Sequence, residues 1–221
     1  MSSDIEIAIA GGHGKIARRL TRMLVSRGDR VRGLIRDPDQ ADDLRADGSE
    51  PVVCDLETAT PEEIAAAISG VEMVVFAAGA GPGSGTGRKW SMDRDGAIKL
   101  LEAAVAESVE GYLMISSIGA EDPPGGDDVF SVYLRAKADA DRALIESDRA
   151  WTILRPTTLT DEPGSGEVEV SGDPLQGEVS REDVAAVLAA LAHEPRSRRR
   201  VMYVRDGDVS VADSLERYLE L

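Results

Sequence analysis

The feature that most constrains the fold is a glycine-rich turn between a strand pattern and a helix pattern at the start of the chain. Residues 5–10 read Ile-Glu-Ile-Ala-Ile-Ala, and Gly11-Gly-His-Gly-Lys-Ile-Ala17 follows directly. Glycine at 11 permits a tight turn, glycine at 14 lets a pyrophosphate approach the backbone, and the small Ala17 lets the helix pack closely on the strand. The free amides at the helix start favour an anion. The turn therefore predicts a nucleotide-binding β-turn-α unit, although glycines also occur in plain loops.

Strand and helix patterns alternate along the rest of the chain. Strand patterns cover residues 5–10, 30–35, 52–54, 71–77, 112–115 and 151–154, with shorter ones at 167–170 and 201–204. Helix patterns cover residues 15–27, 38–46, 60–69, 92–107, 129–146, 180–193 and 211–219. This alternation predicts a Rossmann-type α/β fold, with a doubly wound, mostly parallel sheet and helices on both faces. We predict a single domain over 1–221, with a small substrate-side excursion at about 157–180.

One segment, residues 78–89, interrupts this alternation with a glycine at every second position from 79 to 87. Such a run forms either an idle linker or a mobile lid over a site. Because it follows a central strand, where α/β sheets bind ligands, we expect a lid or a site wall.

The composition is strongly acidic, with 41 acidic against 25 basic residues and a formal net charge of −16. This charge argues against nonspecific binding of nucleic acid or of anionic membranes, which requires a basic face. Only four basic residues are lysines, namely Lys15, Lys89, Lys99 and Lys137. Either adaptation to high salt, which screens repulsion between carboxylates, or a GC-rich genome that favours arginine codons explains this balance.

Several absences bear on the compartment and on metal binding. No apolar run is long enough to span a membrane, and Asp4 and Glu6 stand where a secretory signal would be basic. The lone Cys54 lies in an apolar run, which predicts a buried strand residue in a reducing compartment. We therefore expect a cytoplasmic protein. With one cysteine and two histidines, His13 and His193, we expect no metal site.

The choice of dinucleotide depends on the end of the second strand. An acidic residue there would bind the ribose 2′-hydroxyl of NAD, whereas the arginine found there, Arg36, suits the 2′-phosphate of NADP. Arg36 could instead be a solvated strand end, and the adjacent Asp37 leaves NAD open. Asp55 and Leu56 follow the third strand and are placed to border the adenine, unless Asp55 is an ordinary turn residue. We expect NADP, with NAD as the alternative.

A candidate catalytic pair lies on the helix at 129–146. Tyr133 and Lys137 are spaced i, i+4 and so share one helix face. A phenol titrates near pH 10, but a nearby ammonium and an oxidised nicotinamide favour the phenolate and make tyrosine a usable general acid or base. Ser116 and Ser117 end the preceding strand, where a hydroxyl could bind a substrate carbonyl. The pair could otherwise belong to an amphipathic surface helix.

The motifs and their order along the chain resemble those of the short-chain dehydrogenase/reductase family, in its atypical, NmrA-like and NAD-dependent epimerase/dehydratase-like branch. The resemblance covers roughly residues 4–160, and the segment 180–184 also fits. It rests on Gly11–Ala17, Arg36-Asp37, Cys54-Asp55-Leu56, Asp93–Ala97, Ile115-Ser-Ser117, Tyr133–Lys137 and Leu154-Arg-Pro156. It implies a Rossmann fold that binds NAD(P), and it identifies no substrate.

The resemblance also implies roles for single residues. Tyr133, Lys137 and Ser117 match the family's catalytic tyrosine, lysine and serine, with Ser116 as the alternative serine. The glycines at 11, 12 and 14 match those that contact the pyrophosphate. The full set of implied cofactor-binding residues is Gly11, Gly12, His13, Gly14, Lys15, Ile16, Arg36, Asp55, Leu56, Ala77, Ala78, Gly79, Lys137 and Pro156.

Two positions depart from the family pattern. Ala17 replaces the third glycine, which needs only to be small. Asp93 stands where the family usually has an asparagine that helps hold a proton-relay water near the lysine. A carboxylate at 93 could pair with Lys137 and weaken its effect on Tyr133, so Asp93 belongs to the candidate catalytic set.

These observations predict an NADP-dependent oxidoreductase. It would transfer hydride to or from a small carbonyl, alcohol or conjugated substrate, with Tyr133 as general acid/base. One alternative is an epimerase or dehydratase with a bound cofactor, and the resemblance also admits reduction of flavin or biliverdin type. Another is a non-catalytic sensor that binds NADP and reports redox state to a partner protein. We expect a small-molecule substrate and a monomer or homodimer.

Overall fold

A computed structural model describes residues 4–220 of the chain. The strands are β1 (Glu6–Ala10), β2 (Arg30–Ile35), β3 (Glu50–Val53), β4 (Met73–Phe76), β5 (Gly111–Ile115), β6 (Ala150–Pro156), β7 (Thr158–Thr160), β8 (Glu167–Ser171), β9 (Glu178–Ser180) and β10 (Arg200–Ser210). The helices are α1 (Lys15–Ser26), α2 (Ala41–Ala46), α3 (Pro61–Ile68), α4 (Thr86–Arg88), α5 (Ala97–Ala106), α6 (Val129–Glu146), α7 (Arg181–Leu191) and α8 (Val211–Leu219). A π-helical segment, Lys89–Gly96, joins α4 to α5.

Eight strands form one sheet in the order β3-β2-β1-β4-β5-β6-β10-β8. Every neighbouring pair is parallel except β10 and β8, which run antiparallel at the edge. β7 and β9 form a separate parallel pair. The strand order reverses between β1 and β4, and in such sheets ligands bind beyond the carboxyl ends of the strands at this point. The predicted doubly wound, mostly parallel α/β fold is confirmed.

Two cores cover the two faces of the sheet, because successive side chains of a strand point to opposite sides. On one face, Ala8, Phe76 and Met114 lie among residues of α3, α5 and α6. On the other, Ile9 and Val75 lie among residues of α1, α7 and α8. Burial on both faces explains why the central strands read as almost continuous apolar runs. No helix within residues 4–220 has the length and apolarity needed to cross a membrane.

The bounds of several elements differ from those that the sequence patterns predict. Helical structure begins at Thr86 rather than 92, so the glycine-rich loop is shorter than predicted. β10 extends to Ser210, well beyond the predicted 201–204, because its second half pairs with β8. The short strands β7 and β9 were not predicted, since three residues carry no readable periodicity.

Gly207 provides a test of this edge pairing, because β10 shifts register against β8 between Asp206 and Ser210. A Cβ at Gly207 would lie 2.4 Å from the backbone carbon of Val168. We expect Gly207→Ala to lower the free energy of unfolding by about 1–3 kcal/mol, since backbone must move to admit the methyl group.

The matched control is Gly87→Ala, because Gly87 lies in α4 and a Cβ there would meet nothing within 4 Å. Alanine is favoured over glycine in a helix, so this variant should be neutral or stabilised by up to about 1 kcal/mol. Urea unfolding of both variants gives the comparison. Equal stability of the two variants would contradict the close contact between the backbones of β10 and β8 at Gly207.

Candidate functional site

Two adjoining cavities lie beyond the carboxyl ends of the central strands. The first, here called the turn cavity, has a volume of about 580 Å³ and lies over the glycine-rich turn. The second, the tyrosine cavity, has a volume of about 490 Å³ and contains Tyr133. Both are lined by Ile16, by Ala77, Ala78 and Gly79 after β4, and by Leu159. One extended ligand could therefore occupy both cavities.

The glycine turn presents bare backbone to the turn cavity. Gly11 has a φ of +75°, and a Cβ there would lie 2.7 Å from Cα of Ala78. The Gly14 amide donates to the Gly11 carbonyl at 2.8 Å, which closes the turn. Gly14 is also the N-cap of α1 and offers no capping side chain, so the first amides of the helix are open to a ligand. This is the geometry that holds a phosphate.

Basic side chains line the turn cavity, although the chain as a whole has a net charge of −16. Most of them already have an acidic partner: Lys15 Nζ lies 2.6 Å from Asp161, and Arg181 lies 3.0 Å from the same carboxylate. Arg36 is exposed, and within residues 4–220 its side chain forms no hydrogen bond or ion pair. The basic residues that line the cavity are His13, Lys15, Arg36, Arg88 and Arg181, whereas Asp55 is the one lining carboxylate among residues 4–220.

The acidic residue next to Arg36 is used by the backbone. The Asp37 carboxylate accepts a hydrogen bond from the Asp39 amide at 3.0 Å and caps the 3-10 turn Pro38–Gln40. Asp37 lines neither cavity, whereas Asp55 and Leu56 line the turn cavity. Cys54 lines it as well, and burial raises the pKa of its thiol, which disfavours a nucleophilic thiolate.

Tyr133 and Lys137 both face the tyrosine cavity from α6. Lys137 is buried, and its Nζ donates to the Ile115 carbonyl at 3.0 Å and lies 3.7 Å from Asp93 Oδ1. Asp93 comes from the π-helical segment, and its Oδ2 accepts a hydrogen bond from the Ala80 amide at 3.2 Å. The ion pair that the sequence indicated between Asp93 and Lys137 is thus present.

Tyr133 is half-buried, and within residues 4–220 its hydroxyl forms no hydrogen bond. Its ring lies 6.2 Å from that of Phe130, measured between centroids. The Nζ of Lys89 lies over the ring at 5.2 Å from its centroid. Phe130 and Lys89 therefore lie beside the ring of Tyr133, and the hydroxyl of Tyr133 can form a hydrogen bond with a ligand.

The two candidate serines are placed differently. Ser116 lines the tyrosine cavity, and its hydroxyl donates to Asp141 Oδ2 at 2.8 Å. Ser117 lines neither cavity, and its hydroxyl donates to the Ile118 carbonyl at 3.1 Å. The serine that sequence reasoning kept as the alternative is the one that the fold brings to Tyr133 and Lys137.

Two further candidates also lie outside both cavities. Gly12 is buried against the second strand, since its amide donates to the Leu34 carbonyl and a Cβ would lie 2.9 Å from Cα of Gly33. Pro156 is buried at the end of β6, where its carbonyl accepts from the Ile118 amide at 3.2 Å. The remaining predicted site residues line one cavity or both: Gly11, His13, Gly14, Lys15, Ile16, Arg36, Asp55, Leu56, Ala77, Ala78, Gly79, Asp93, Tyr133 and Lys137.

Lys89 lines the tyrosine cavity and lies in the segment 78–89 that was expected to form a lid or site wall. Sequence reasoning missed Phe130, Leu159 and Arg181 as lining residues. Phe130 could have been found, because it precedes Tyr133 by three residues on α6. No local pattern marks Leu159 and Arg181, since β7 and the start of α7 reach the site only through the tertiary fold. Within residues 4–220, no group of three metal-ligating side chains is close enough to hold a metal ion.

A buried polar cluster supports Ser116 from behind. Asp141 Oδ2 accepts from Ser116 and from Arg155, whose Nε and Nη2 lie at 3.1 and 3.0 Å. Arg155 also donates to the Tyr203 hydroxyl at 2.7 Å. Burial raises the pKa of the Asp141 carboxyl, and the charge of Arg155 and the hydrogen bond from Ser116 oppose that rise. The cluster fixes the Ser116 hydroxyl on the wall of the tyrosine cavity.

Replacing Asp141 should therefore destabilise the folded protein. Asp141→Ala leaves the buried guanidinium of Arg155 with only the more distant Glu121 carboxylate, at 3.6 Å, and we expect a loss of about 3 kcal/mol in the free energy of unfolding. The matched control on the same helix is Asp139→Ala, which removes only an ion pair with the exposed Arg142. That variant should change stability by less than about 1 kcal/mol. Denaturant unfolding gives the free energy of unfolding of both variants. Equal losses would show that the buried ion pair contributes no more to stability than the exposed one.

Comparison with known proteins identifies the family of the chain. A family model described as NAD(P)H-binding matches residues 11–195. The chain is 33% identical over 214 residues to a Bacillus subtilis protein named uncharacterized sugar epimerase YhfK, with 96% of this chain and 100% of that protein covered.

Two solved structures are similar over nearly the whole chain. A putative NAD-dependent epimerase/dehydratase from Bacillus halodurans is 32% identical, with a TM-score of 0.90 and coverage of 96% of this chain and 99% of that one. The oxidoreductase ylbE from Lactococcus lactis is 25% identical, with a TM-score of 0.86 and coverage of 98% of each chain.

Proposed function

Because the chain belongs to the NAD(P)H-binding family, we propose that it is an NADP-dependent oxidoreductase that acts on a small carbonyl compound. The observation that carries the proposal is the junction of the two cavities. A cationic, amide-lined cavity opens beside one that holds a tyrosine, a lysine and a serine hydroxyl. A dinucleotide placed along both would bring its nicotinamide end to Tyr133.

The residues of the turn cavity fit a dinucleotide phosphate. The open amides at the start of α1 and the close approach at Gly11 suit the pyrophosphate, because no side chain stands between ligand and backbone. Arg36 would bind the 2′-phosphate, and its side chain has no competing ion pair within the described residues. Asp37 would compete weakly for a ribose hydroxyl, since it caps the following turn. These contacts favour NADP over NAD.

The chemistry would take place in the tyrosine cavity. A dinucleotide held by the turn cavity would supply the hydride chemistry. For reduction, the Tyr133 hydroxyl would donate its proton to the carbonyl oxygen of the substrate, and for oxidation the phenolate would take it back. The Ser116 hydroxyl donates its one proton to Asp141, so its oxygen would accept a hydrogen bond from the hydroxyl of an alcohol substrate or product.

Lys137 would support this step through its positive charge, because it lines the same cavity as Tyr133. Part of that charge is offset here, because Asp93 lies 3.7 Å from the ammonium. Asp93 therefore sets the balance between a slow reductase and a protein that only binds NADP.

An epimerase or dehydratase is the second candidate. The names of the Bacillus subtilis relative and of the Bacillus halodurans structure favour it, since both include the word epimerase. Such an enzyme oxidises and then reduces its substrate, so it consumes no cofactor overall. Net oxidation of NADPH separates the two candidates.

Replacing Tyr133 tests the mechanism. We expect Tyr133→Phe to lower kcat by about 100-fold or more, because general acid catalysis is lost, while the affinity for NADPH stays unchanged. The measurements are NADPH oxidation with a panel of aldehydes, ketones, quinones and flavins, and conversion of sugar nucleotides. Tyr218→Phe is the control, since the Tyr218 hydroxyl bonds the Val201 carbonyl and lines neither cavity.

The outcomes of this experiment are distinct. Undiminished activity of Tyr133→Phe would remove Tyr133 from the mechanism. Tight NADPH binding without turnover of any compound would favour the sensor, and conversion of a sugar nucleotide without net NADPH oxidation would favour the epimerase.

Replacing Arg36 tests the cofactor. We expect Arg36→Gln to weaken NADPH binding about tenfold or more and NADH binding less than about twofold, because only NADPH carries the 2′-phosphate. Arg45→Gln is the control, since Arg45 is exposed and pairs with Asp42 on α2. Fluorescence titration with both cofactors gives the ratio, and an equal loss for NADPH and NADH would refute the assignment.

A further inference from the structure

We propose that Lys89 forms a carboxylate-binding subsite in the tyrosine cavity, so that the substrate is an apolar organic acid whose carbonyl meets Tyr133. The inference deepens the proposed function and rests on it for the identity of the reacting carbonyl. The anion subsite itself rests only on the surroundings of Lys89.

Lys89 is a buried cation without an acidic partner. Its side chain comes from the π-helical segment, and the residue is only 8% exposed. Its Nζ donates to the Gly81 carbonyl at 3.0 Å and lies over the Tyr133 ring, and no carboxylate lies within 4 Å of it among residues 4–220. An ammonium group has three donors, so protons of Lys89 are left for a ligand. Burial of an ammonium is costly unless a counter-charge is present.

The other cations of the site show the contrast. Arg88, the preceding residue, donates to the Ala80 carbonyl but also pairs with Glu57 at 3.0 Å. Lys137 shares the tyrosine cavity with Lys89 and has Asp93 as its partner. Because Asp93 also accepts from the Ala80 amide, its carboxylate is engaged. The positive charge that a ligand could neutralise in this cavity is therefore that of Lys89.

The rest of the cavity specifies the body of that ligand. Phe130 and Val129 stand at its edge with 63% and 44% of their surface exposed, and Pro82 and Leu159 line it as well. Such surfaces gain free energy when an apolar group covers them. Since the Lys89 ammonium lies over the ring of Tyr133, one molecule can place a carboxylate on Lys89 and a nearby carbonyl at the phenol. An oxo acid with an apolar or aromatic body meets all three requirements.

The test compares an acid with its neutral ester. Phenylglyoxylate and methyl phenylglyoxylate are titrated by calorimetry into the full chain, with and without NADPH, in a buffer free of other carboxylates. We expect the wild type to bind the acid about tenfold or more tightly than the ester, as a charge-assisted hydrogen bond provides. Lys89→Met should abolish this preference, and Lys89→Arg should keep part of it.

Lys99→Met is the matched control. Lys99 also donates to backbone carbonyls, those of Leu56 and Glu57, but it lines neither cavity. It should leave the preference for the acid unchanged. Circular dichroism checks that each variant folds, and Lys89→Gln replaces Lys89→Met should that variant fail to fold.

Each outcome decides the inference. Equal binding of acid and ester by the wild type, binding of neither, or an unchanged preference in Lys89→Met overturns it. A preference that depends on Lys89 supports it even when no acid is turned over with NADPH. In that case the subsite stands, and the proposed reductase activity alone falls.

Discussion

The site depends on one contact between backbones, the approach of the glycine turn to the end of β4. At Gly11 there is no space for a side chain, since a Cβ would lie 2.7 Å from Cα of Ala78. The turn and the strand end therefore meet directly. The segment after β4 that Gly11 contacts, with Ala77, Ala78 and Gly79, lines both cavities. A larger residue at 11 would separate β1 from β4 at the point where the strand order reverses and would disturb both cavities together.

A second constraint is the distribution of charge. The chain carries a large excess of acidic residues, yet the turn cavity is lined by basic side chains. Acids placed just outside the cavity hold most of these cations in position, as Asp161 does for Lys15 and Arg181. Arg36 and Lys89 lack such partners within the described residues. The two cations lie in different cavities, and we propose a phosphate as the ligand of Arg36 and a carboxylate as the ligand of Lys89.

The tyrosine cavity combines two charged or polar groups that are held in place by buried partners. Lys137 lines the same cavity as Tyr133, and its ammonium is fixed between the Ile115 carbonyl and Asp93. The Ser116 hydroxyl donates to the buried Asp141 carboxylate, which Arg155 balances. Preorganised polar groups of this kind cost little reorganisation during a reaction. The role that we propose for Tyr133 depends on this fixed arrangement.

The sequence by itself determined the fold class, the glycine turn and the order of the cofactor motifs. Each of these depends on local periodicity or on a residue's own conformational freedom, as at Gly11 and Gly14. Only the tertiary structure decided that Ser116 rather than Ser117 faces the tyrosine cavity, that Gly12 packs on Gly33, and that Lys89 is buried beside Tyr133. The physical reason is that convergence of side chains depends on strand register, on the path of the π-helical segment and on the packing of distant elements. None of these leaves a local pattern in the chain.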